Sequence, residues 1–235
     1  MRYSVRPMQS EDVSQITDID REAFPSLWPS ASYESELKHN PTTRYLVVRE
    51  EGVEWPQPPV ATPPVESGRV APASALERLF SGVRRLFSPE KAPPAMGTEH
   101  IVGFAGLWFT LDEAHLTTVA VRQGYRRQGI GELLLISAID LATARGARFV
   151  TLEVRASNLE AQALYRKYGF FKTGVRRGYY TDNREDAFIM TTDSIASASY
   201  QVEFQQLKRA HAARWGHGSG GQPHGQGNPG PPETA

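Results

Sequence analysis

The chain has 235 residues, 40% of them apolar and 22% charged, with 26 Lys and Arg set against 26 Asp and Glu. That length suits one domain with a real core plus appendages, and the balanced charge removes the global field on which a dedicated nucleic-acid or anionic-membrane binder relies. No cysteine is present, which excludes a disulfide scaffold, a thiolate nucleophile and Cys-based zinc sites. The opening residues lack an apolar signal-peptide region and no stretch approaches the roughly 18 apolar residues of a membrane span, so the expectation is a cytoplasmic protein with no transmembrane segment.

In chain order, Tyr3 to Met8 alternates as a strand, and Ser10 is placed to cap a helix carrying Val13, Ile16, Ile19 and Phe24 on one side. Ser32 to His39 is expected as a second short helix, and Arg44 to Val48 as a strand. Residues 51–98 hold nine of the 17 prolines and form a Pro-rich insert. Inside it Leu76, Leu79, Phe80, Val83, Leu86 and Phe87 recur at helical spacing beside Arg78, Arg84 and Arg85. This short basic amphipathic helix is expected to fold back on the domain, to form only transiently, or to dock on a partner or membrane surface. His100 to Phe109 and Ala114 to Val121 are strands by composition, expected to pair antiparallel. Gly129 to Arg145 is helical by period and stopped by Gly146. A strand from Arg148 to Val154, a helix from Leu159 to Tyr168, and strands Phe170 to Tyr180 and Ala187 to Thr192 follow. The fold class is α/β, a domain made of 1–50 and 99–193, with a C-terminal helix over 194–215 and a disordered tail over 216–235, where seven Gly and four Pro fall.

The sharpest local signal is Arg126-Arg127-Gln128-Gly129-Ile130-Gly131-Glu132 after Val119-Ala120-Val121, at a strand-to-helix junction. Glycines allow a tight turn, and the unpaired N–H groups and dipole of a helix N-terminus favour a phosphate. A dinucleotide fingerprint fails because Leu134 occupies its third glycine position, and the Gly-Lys-Ser/Thr of a nucleotide P-loop is absent.

Arg126-x-x-Gly129-x-Gly131 resembles the pyrophosphate loop of the GNAT acetyltransferases, and Leu152 to Asn158 with Ala163 to Phe170 resembles the second half of that domain. Arg176-x-x-Tyr179-Tyr180-x-Asp182-Asn183-x-Glu185-Asp186-Ala187 is similar to the RimI-like branch, which acetylates protein N-termini. The resemblance covers about 2–50 and 99–192; the insert and tail have no counterpart in it. It implies a GNAT fold with a mixed, mostly antiparallel sheet of about seven strands flanked by helices. It further implies acetyl-CoA as co-substrate with no metal, and as acceptor a protein N-terminus, with the N-terminal alanine of a small-subunit ribosomal protein as the branch's example. Internal-lysine or small-amine acetylation and a catalytically silent acyl-CoA-binding module are the competing readings.

Acetyl transfer from a thioester needs a neutral amine, a polarised carbonyl and a proton for the leaving thiolate. An α-amine with pKa near 7.7 to 8.0 is neutral for roughly a tenth of the time at pH 7, costing about 1 kcal/mol to deprotonate, against roughly 4 to 5 kcal/mol for lysine. A weak base therefore suffices, and Glu153 on a central strand is the candidate, in agreement with the resemblance. The resemblance makes Tyr165 the acid for the CoA sulfur. The amides of Val119 and Val121, flanking Ala120, are expected to hold the pantetheine arm and polarise the carbonyl, which requires a splayed strand edge. The cofactor set is completed by Arg126, Arg127, Gln128, Gly129, Ile130, Gly131 and Glu132. Asn158 has two possible jobs, helix cap within a Ser157-x-x-Glu160 box and CoA contact. Tyr179 and Tyr180 are either ordinary strand residues or, by resemblance, walls of the acceptor groove. His115 is expected to pack or face solvent, and His211, His217 and His224 lie too far out for a metal site. Residues 11–36 carry Glu11, Asp12, Asp18, Asp20, Glu22, Glu34 and Glu36 against a single Arg21; these are either solvated helix faces and first-turn carboxylates or, since the resemblance puts this helical pair beside the acceptor groove, an acidic rim able to steer a basic polypeptide.

Overall fold

The computed structural model describes residues 2–24, 33–54 and 99–216. The predicted insert helix and all of the tail beyond Gly216 lie outside them. The chain separates into two compact units, Met1–Gly52 with Ile101–Ala235, and Val53–His100. In the second unit only the end of one strand and the start of the next are described.

The elements are β1 (Tyr3–Pro7), α1 (Val13–Ala23), α2 (Tyr33–His39), β2 (Thr43–Glu54), β3 (Glu99–Phe109) and β4 (Glu113–Val121), followed by α3 (Ile130–Ala144), β5 (Phe149–Arg155), α4 (Leu159–Lys167), β6 (Phe170–Tyr180), β7 (Glu185–Thr192) and α5 (Ala198–Trp215). Every expected element of the described residues is present in the expected order. Their bounds shift where polar residues masked the pattern. β2 runs on through Glu50, which pairs with Tyr3 of β1, and β7 starts at Glu185, which closes the hairpin opposite Tyr180. Ser10 is corrected as a helix cap: it opens a single 3-10 turn, Ser10–Asp12, whose start is tied by Asp12 Oδ2 accepting from the Gln9 N–H at 2.8 Å. Arg6 grips the same carboxylate at 2.7 and 2.9 Å.

Seven strands form one sheet in the order β1-β2-β3-β4-β5-β7-β6. Neighbours β1/β2, β3/β4, β5/β7 and β6/β7 are antiparallel and β4/β5 is parallel, so the sheet is mixed and mostly antiparallel. Because side chains alternate across each strand, the sheet buries two apolar faces. One takes Leu107, Leu116, Leu152 and Val154 under α3, whose Leu134, Leu135 and Ile139 are fully buried. The other takes Tyr45, Val47, Ile101 and Phe104 under Ile16 and Ile19 of α1 and Tyr33 of α2.

Two irregularities in β4 position the site. The β3/β4 register slips so that Gly106 faces Thr118 while Leu107 faces Leu116, passing over Thr117. Such a bulge bends the strand and increases its twist. The parallel pairing of β4 with β5 begins at Glu113↔Phe149 and ends at His115↔Thr151. Beyond that point Val119 to Val121 of β4 stay paired with β3 but no longer with β5, while β5 continues on its other edge along β7 from Thr151↔Thr191 to Arg155↔Ala187.

Candidate active site

The opening between β4 and β5 continues into a cleft of about 730 Å³. Of the sequence-predicted residues, Val119, Glu153, Asn158, Tyr165, Tyr179 and Tyr180 line it together. Ala120, Val121 and the 126–132 turn lie outside that lining. Ala120 is itself buried in the sheet.

Glu153 sits at mid-β5 with its side chain only 8% exposed, and both its oxygens are engaged. Arg176 of β6 donates from Nε to Oε1 at 2.9 Å, and His115 Nε2 lies 2.7 Å from Oε2. Burial alone pushes this carboxyl up; the hydrogen bond and charge of His115 and those of Arg176 outweigh it and hold Glu153 below the ordinary carboxylate value. His115 therefore departs from the expectation of a merely packed or solvated residue. Its β4 position is directly across from Thr151, two residues before Glu153 on β5, and its Nδ1 lies 3.8 Å from Glu113 Oε1. No local motif marks His115 or ties it to a carboxylate 38 positions away; only the β4/β5 register brings the two together. Arg176 opens the RimI-like string, which was the available signal for it, although β6 is separated from β5 by β7 in the sheet.

Tyr165 faces the cleft from α4 and packs against Phe170, ring centroids 5.7 Å apart. Burial, then the neighbouring Tyr180, pushes its phenol up to about 12, so it carries its proton at neutral pH. Tyr179 and Tyr180 meet edge to face at 5.2 Å. Arg155 lies over the Tyr180 ring at 3.9 Å while bonding Asp182 Oδ2 at 2.9 Å and Glu185 Oε2 at 3.2 Å, so the β6–β7 turn is clamped to the end of β5. Glu185 also accepts from the Ser157 N–H at 2.7 Å.

Asn158 does cap α4, accepting from the Ala161 N–H at 3.1 Å. The Ser157-x-x-Glu160 box is corrected: with Asn158 as cap, Glu160 pairs instead with Arg127 at 2.6 Å, across from the turn.

At the turn Gly129 takes φ 77°, ψ 0°, the left-handed conformation, as N-cap of α3. The first turn of a helix leaves N–H groups without intrahelical partners. A Cβ on Gly131 would meet nothing nearer than Val121 Cγ2 at 3.9 Å, so the face above the turn is open. Arg126 donates from Nε to the Val121 carbonyl at 3.2 Å, and Arg127 stands exposed. Ile130 is core, and the Gln128 and Glu132 side chains are taken: Gln128 accepts from Tyr3 OH at 2.8 Å, and Glu132 from Tyr168 OH at 2.7 Å and Lys167 Nζ at 2.5 Å. These positions offer backbone rather than side chains to a ligand. An open helix N-terminus, two flanking arginines and a stretch of β4 that pairs with β3 but not with β5 together fit the pyrophosphate and arm of a CoA thioester.

The acidic rim shrinks on inspection. Asp12 is buried on Arg6, Glu34 pairs with Lys38 at 2.6 Å, and Glu22 accepts from the Gln123 N–H. Asp20 and Glu36 are the rim carboxylates that line the cleft, Glu36 accepting from Tyr45 OH at 2.6 Å. Among the described residues no group of three His, Cys, Asp or Glu is placed to hold a metal ion, and no helix is long and apolar enough to cross a membrane.

Comparison with known proteins agrees with this geometry. The model of the acetyltransferase (GNAT) family matches residues 74–170. A Bacillus subtilis protein carrying the name of a ribosomal protein bS18-alanine N-acetyltransferase is 33% identical over 189 residues, 80% of this chain and 94% of its own length. The Escherichia coli ribosomal protein bS18-alanine N-acetyltransferase is 49% identical over 92 residues, 38% of this chain and 62% of that protein. The crystal structure of the ribosomal-protein-S18-alanine N-acetyltransferase from Escherichia coli superposes with a TM-score of 0.57 at 27% identity, covering 83% of this chain and 97% of that one. The seven-stranded mixed sheet is the one that the sequence motifs implied, and the chain belongs to the GNAT family of acetyltransferases.

Proposed function

We propose that the protein transfers the acetyl group of acetyl-CoA to the N-terminal α-amine of a protein, with the N-terminal alanine of a ribosomal protein as the acceptor that the similar proteins' names suggest. The observation that carries this reading is the placement of Glu153 at the floor of a cleft that opens between β4 and β5, with Tyr165 on the same lining. The thioester would reach the opening from the α3 turn, its pantetheine along Val119 to Val121, while the acceptor enters between α2 and Tyr179/Tyr180. The amine nitrogen bonds to the carbonyl carbon, its surplus proton passes to the Glu153–His115 pair, the carbon–sulfur bond breaks, and Tyr165 supplies the proton that leaves on CoA. A carboxylate held as low as Glu153 is a weak base. It suits an α-amine, about 1 kcal/mol from its neutral form at pH 7, and serves a lysine poorly, at roughly 4 to 5 kcal/mol.

Asp20 and Glu36 on the cleft wall favour an acceptor with positive charge beyond its first residue. Peptides with a small first residue and Lys or Arg a few positions on are expected to show the higher kcat/KM, and the advantage is expected to shrink as salt screens it. A panel of peptides with varied N-terminal residues, together with an N-terminally blocked peptide bearing free lysines, tests the reading by CoA release and mass shift. Preferential acetylation of the blocked peptide would overturn the N-terminal assignment in favour of a lysine or small-amine acceptor. CoA release with any amine discards the silent module.

A further inference from the structure

Helix α5 follows the sheet and lies beyond the stretch that the family resemblance covers. Its inward side carries Tyr200, Phe204, Leu207, Lys208, His211 and Trp215, and five of these, 200, 204, 208, 211 and 215, form one stripe of a regular helix. Each makes a definite contact. Tyr200 OH donates to the Tyr168 carbonyl at 3.0 Å, and Phe204, fully buried, meets the Tyr168 ring edge to face at 6.3 Å. Lys208 Nζ bonds both oxygens of Asp140 on α3, at 2.8 and 2.7 Å. One turn on, His211 is 3% exposed with Nε2 3.0 Å from the carbonyl oxygen of Gly129. A carbonyl only accepts, so Nε2 carries the proton in this contact. At the end of the stripe the Trp215 ring lies against Gly129 so closely that a Cβ there would stand 2.7 Å from it.

We propose that α5 is a brace for the phosphate turn, with His211 and Trp215 as positioning residues for the CoA substrate. The inference rests on the reading of the α3 N-terminus as the pyrophosphate site. Its physical basis is peptide planarity. The Gly129 carbonyl accepts from Leu133 N–H at 2.9 Å and from His211, and fixing that oxygen fixes the plane that also carries the Ile130 N–H, one of the donors a helix N-terminus presents to an anion. Glycine is the residue with the widest choice of φ, so an unheld Gly129 would spread that N–H over many directions, and ordering it on binding would cost affinity. Trp215 closes off the space into which Gly129 would move. The preceding residue is held from the other side, Gln128 by Tyr3, while Tyr125 OH donates to Glu50 at 2.8 Å.

The test uses full-length protein with Trp215→Ala, His211→Phe and His211→Gln, measuring acetyl-CoA Kd by calorimetry and the separate kcat and KM for both substrates. Trp215→Ala and His211→Phe are expected to raise acetyl-CoA Kd and KM about tenfold, leaving kcat at saturation and peptide KM within about twofold of wild type. His211→Gln, which keeps an N–H donor, is expected to restore most of the affinity. Hydrogen exchange of amides 129 to 132 in Trp215→Ala is expected to speed up selectively. Unchanged acetyl-CoA affinity in folded Trp215→Ala and His211→Phe would overturn the brace, as would a loss confined to kcat. Should Trp215→Ala not fold, His211→Phe against His211→Gln decides alone: equal affinities in the two overturn the proposal. Wild-type protein that binds CoA but acetylates no N-terminal peptide defeats the acceptor assignment and leaves the brace standing; wild-type protein that binds no CoA defeats both.

Discussion

In the proposed reaction the turn before α3 would recognise through its backbone, whereas the cleft between β4 and β5 would act through side chains. The turn presents N–H groups and an open space above Gly131, while Gln128, Ile130 and Glu132 are spent on the protein itself. The cleft is defined by groups from separate strands, with His115 on β4, Glu153 on β5 and Arg176 on β6 converging on one carboxylate. The difference teaches what each half is sensitive to. A backbone site is lost through shape and through whatever holds the loop; a side-chain site is lost through single atoms and their charge.

The largest effect is expected where a single atom carries the chemistry. Glu153→Gln keeps the volume and removes the proton acceptor, and turnover is expected to fall by roughly 100-fold or more with acetyl-CoA affinity intact. Because His115 and Arg176 hold the Glu153 carboxyl below the ordinary glutamate value of 4.5, it stays ionised throughout pH 5 to 9 and adds no limb there. The acidic limb of the wild-type profile is then expected to follow the acceptor amine. The variant is expected to recover partly toward pH 9, where an α-amine is already mostly neutral. A variant equal to wild type in turnover from pH 6 to 9 would leave Glu153 structural. The same low value makes Glu153 a source of stability above about pH 4.5 that is lost as pH falls through its folded value.

Tyr165→Phe removes one oxygen from the cleft and is expected to lower kcat by roughly 10- to 100-fold with little change in either KM. Its phenol, pushed up to about 12, is protonated in wild type across the working range, so raising pH to 9 is not expected to rescue the variant. Rescue by alkali in parallel with Glu153→Gln would show that both variants disturb the same proton, and would remove the acid role from Tyr165.

At the turn, shape is the variable. Replacing Gly131 by Val puts side-chain atoms into the open face without meeting protein, since the nearest atom to its Cβ is Val121 Cγ2 at 3.9 Å. Acetyl-CoA Kd is expected to rise about tenfold with an unchanged melting temperature. The same change at Gly129 is a different experiment, because φ is 77° and the new Cβ would strike Trp215 at 2.7 Å. Loss of stability together with affinity is expected there. Equal behaviour of the two variants would mean that the turn is not framed by α5.

The two halves also differ in how far a sequence discloses them. The turn is one contiguous string, so Arg126 to Gly131 is recognisable without knowing what lies beside it. Glu153 and Tyr165 stand in strings of their own and are equally legible. His115 is not, because its significance depends on the β4/β5 register that sets it across from Thr151. The stripe on α5 escapes for a related reason: Lys208 and His211 are polar residues that face inward, so the helix shows little apolar periodicity although its contacts are regular. Asp12 and Glu22 belong to the same class, carboxylates that composition assigns to an acidic rim and that the fold uses to hold Arg6 and the Gln123 N–H.

The smallest expected effect concerns the clamp that holds the acceptor side in shape. Arg155 bonds Asp182 and Glu185 and lies 3.9 Å above the Tyr180 ring, so one side chain both ties the β6–β7 turn to β5 and fixes the orientation of a ring on the cleft wall. Arg155→Met keeps most of the aliphatic stem and removes the charge and donors. The turn stays covalently close through the β6/β7 pairing, which includes Tyr180↔Glu185, so the ring loosens rather than leaves. Peptide KM is accordingly expected to rise about threefold, with acetyl-CoA Kd and kcat unchanged, in line with the modest worth of partly exposed ion pairs and cation–π contacts. The pH behaviour sharpens the assignment. Hydrogen bonds from Ser157, then the contacts of Asn183 and Arg155, hold the Glu185 carboxyl down to about 2. The clamp is therefore complete above the ordinary glutamate value of 4.5 and is lost only as pH falls toward 2, so it contributes no change in peptide KM between pH 5 and 9. Peptide KM in Arg155→Met measured at pH 6 and pH 9 is expected to keep the same ratio to wild type. A ratio that varies across that range would mean the clamp acts through the acceptor's own titration rather than through the position of Tyr180.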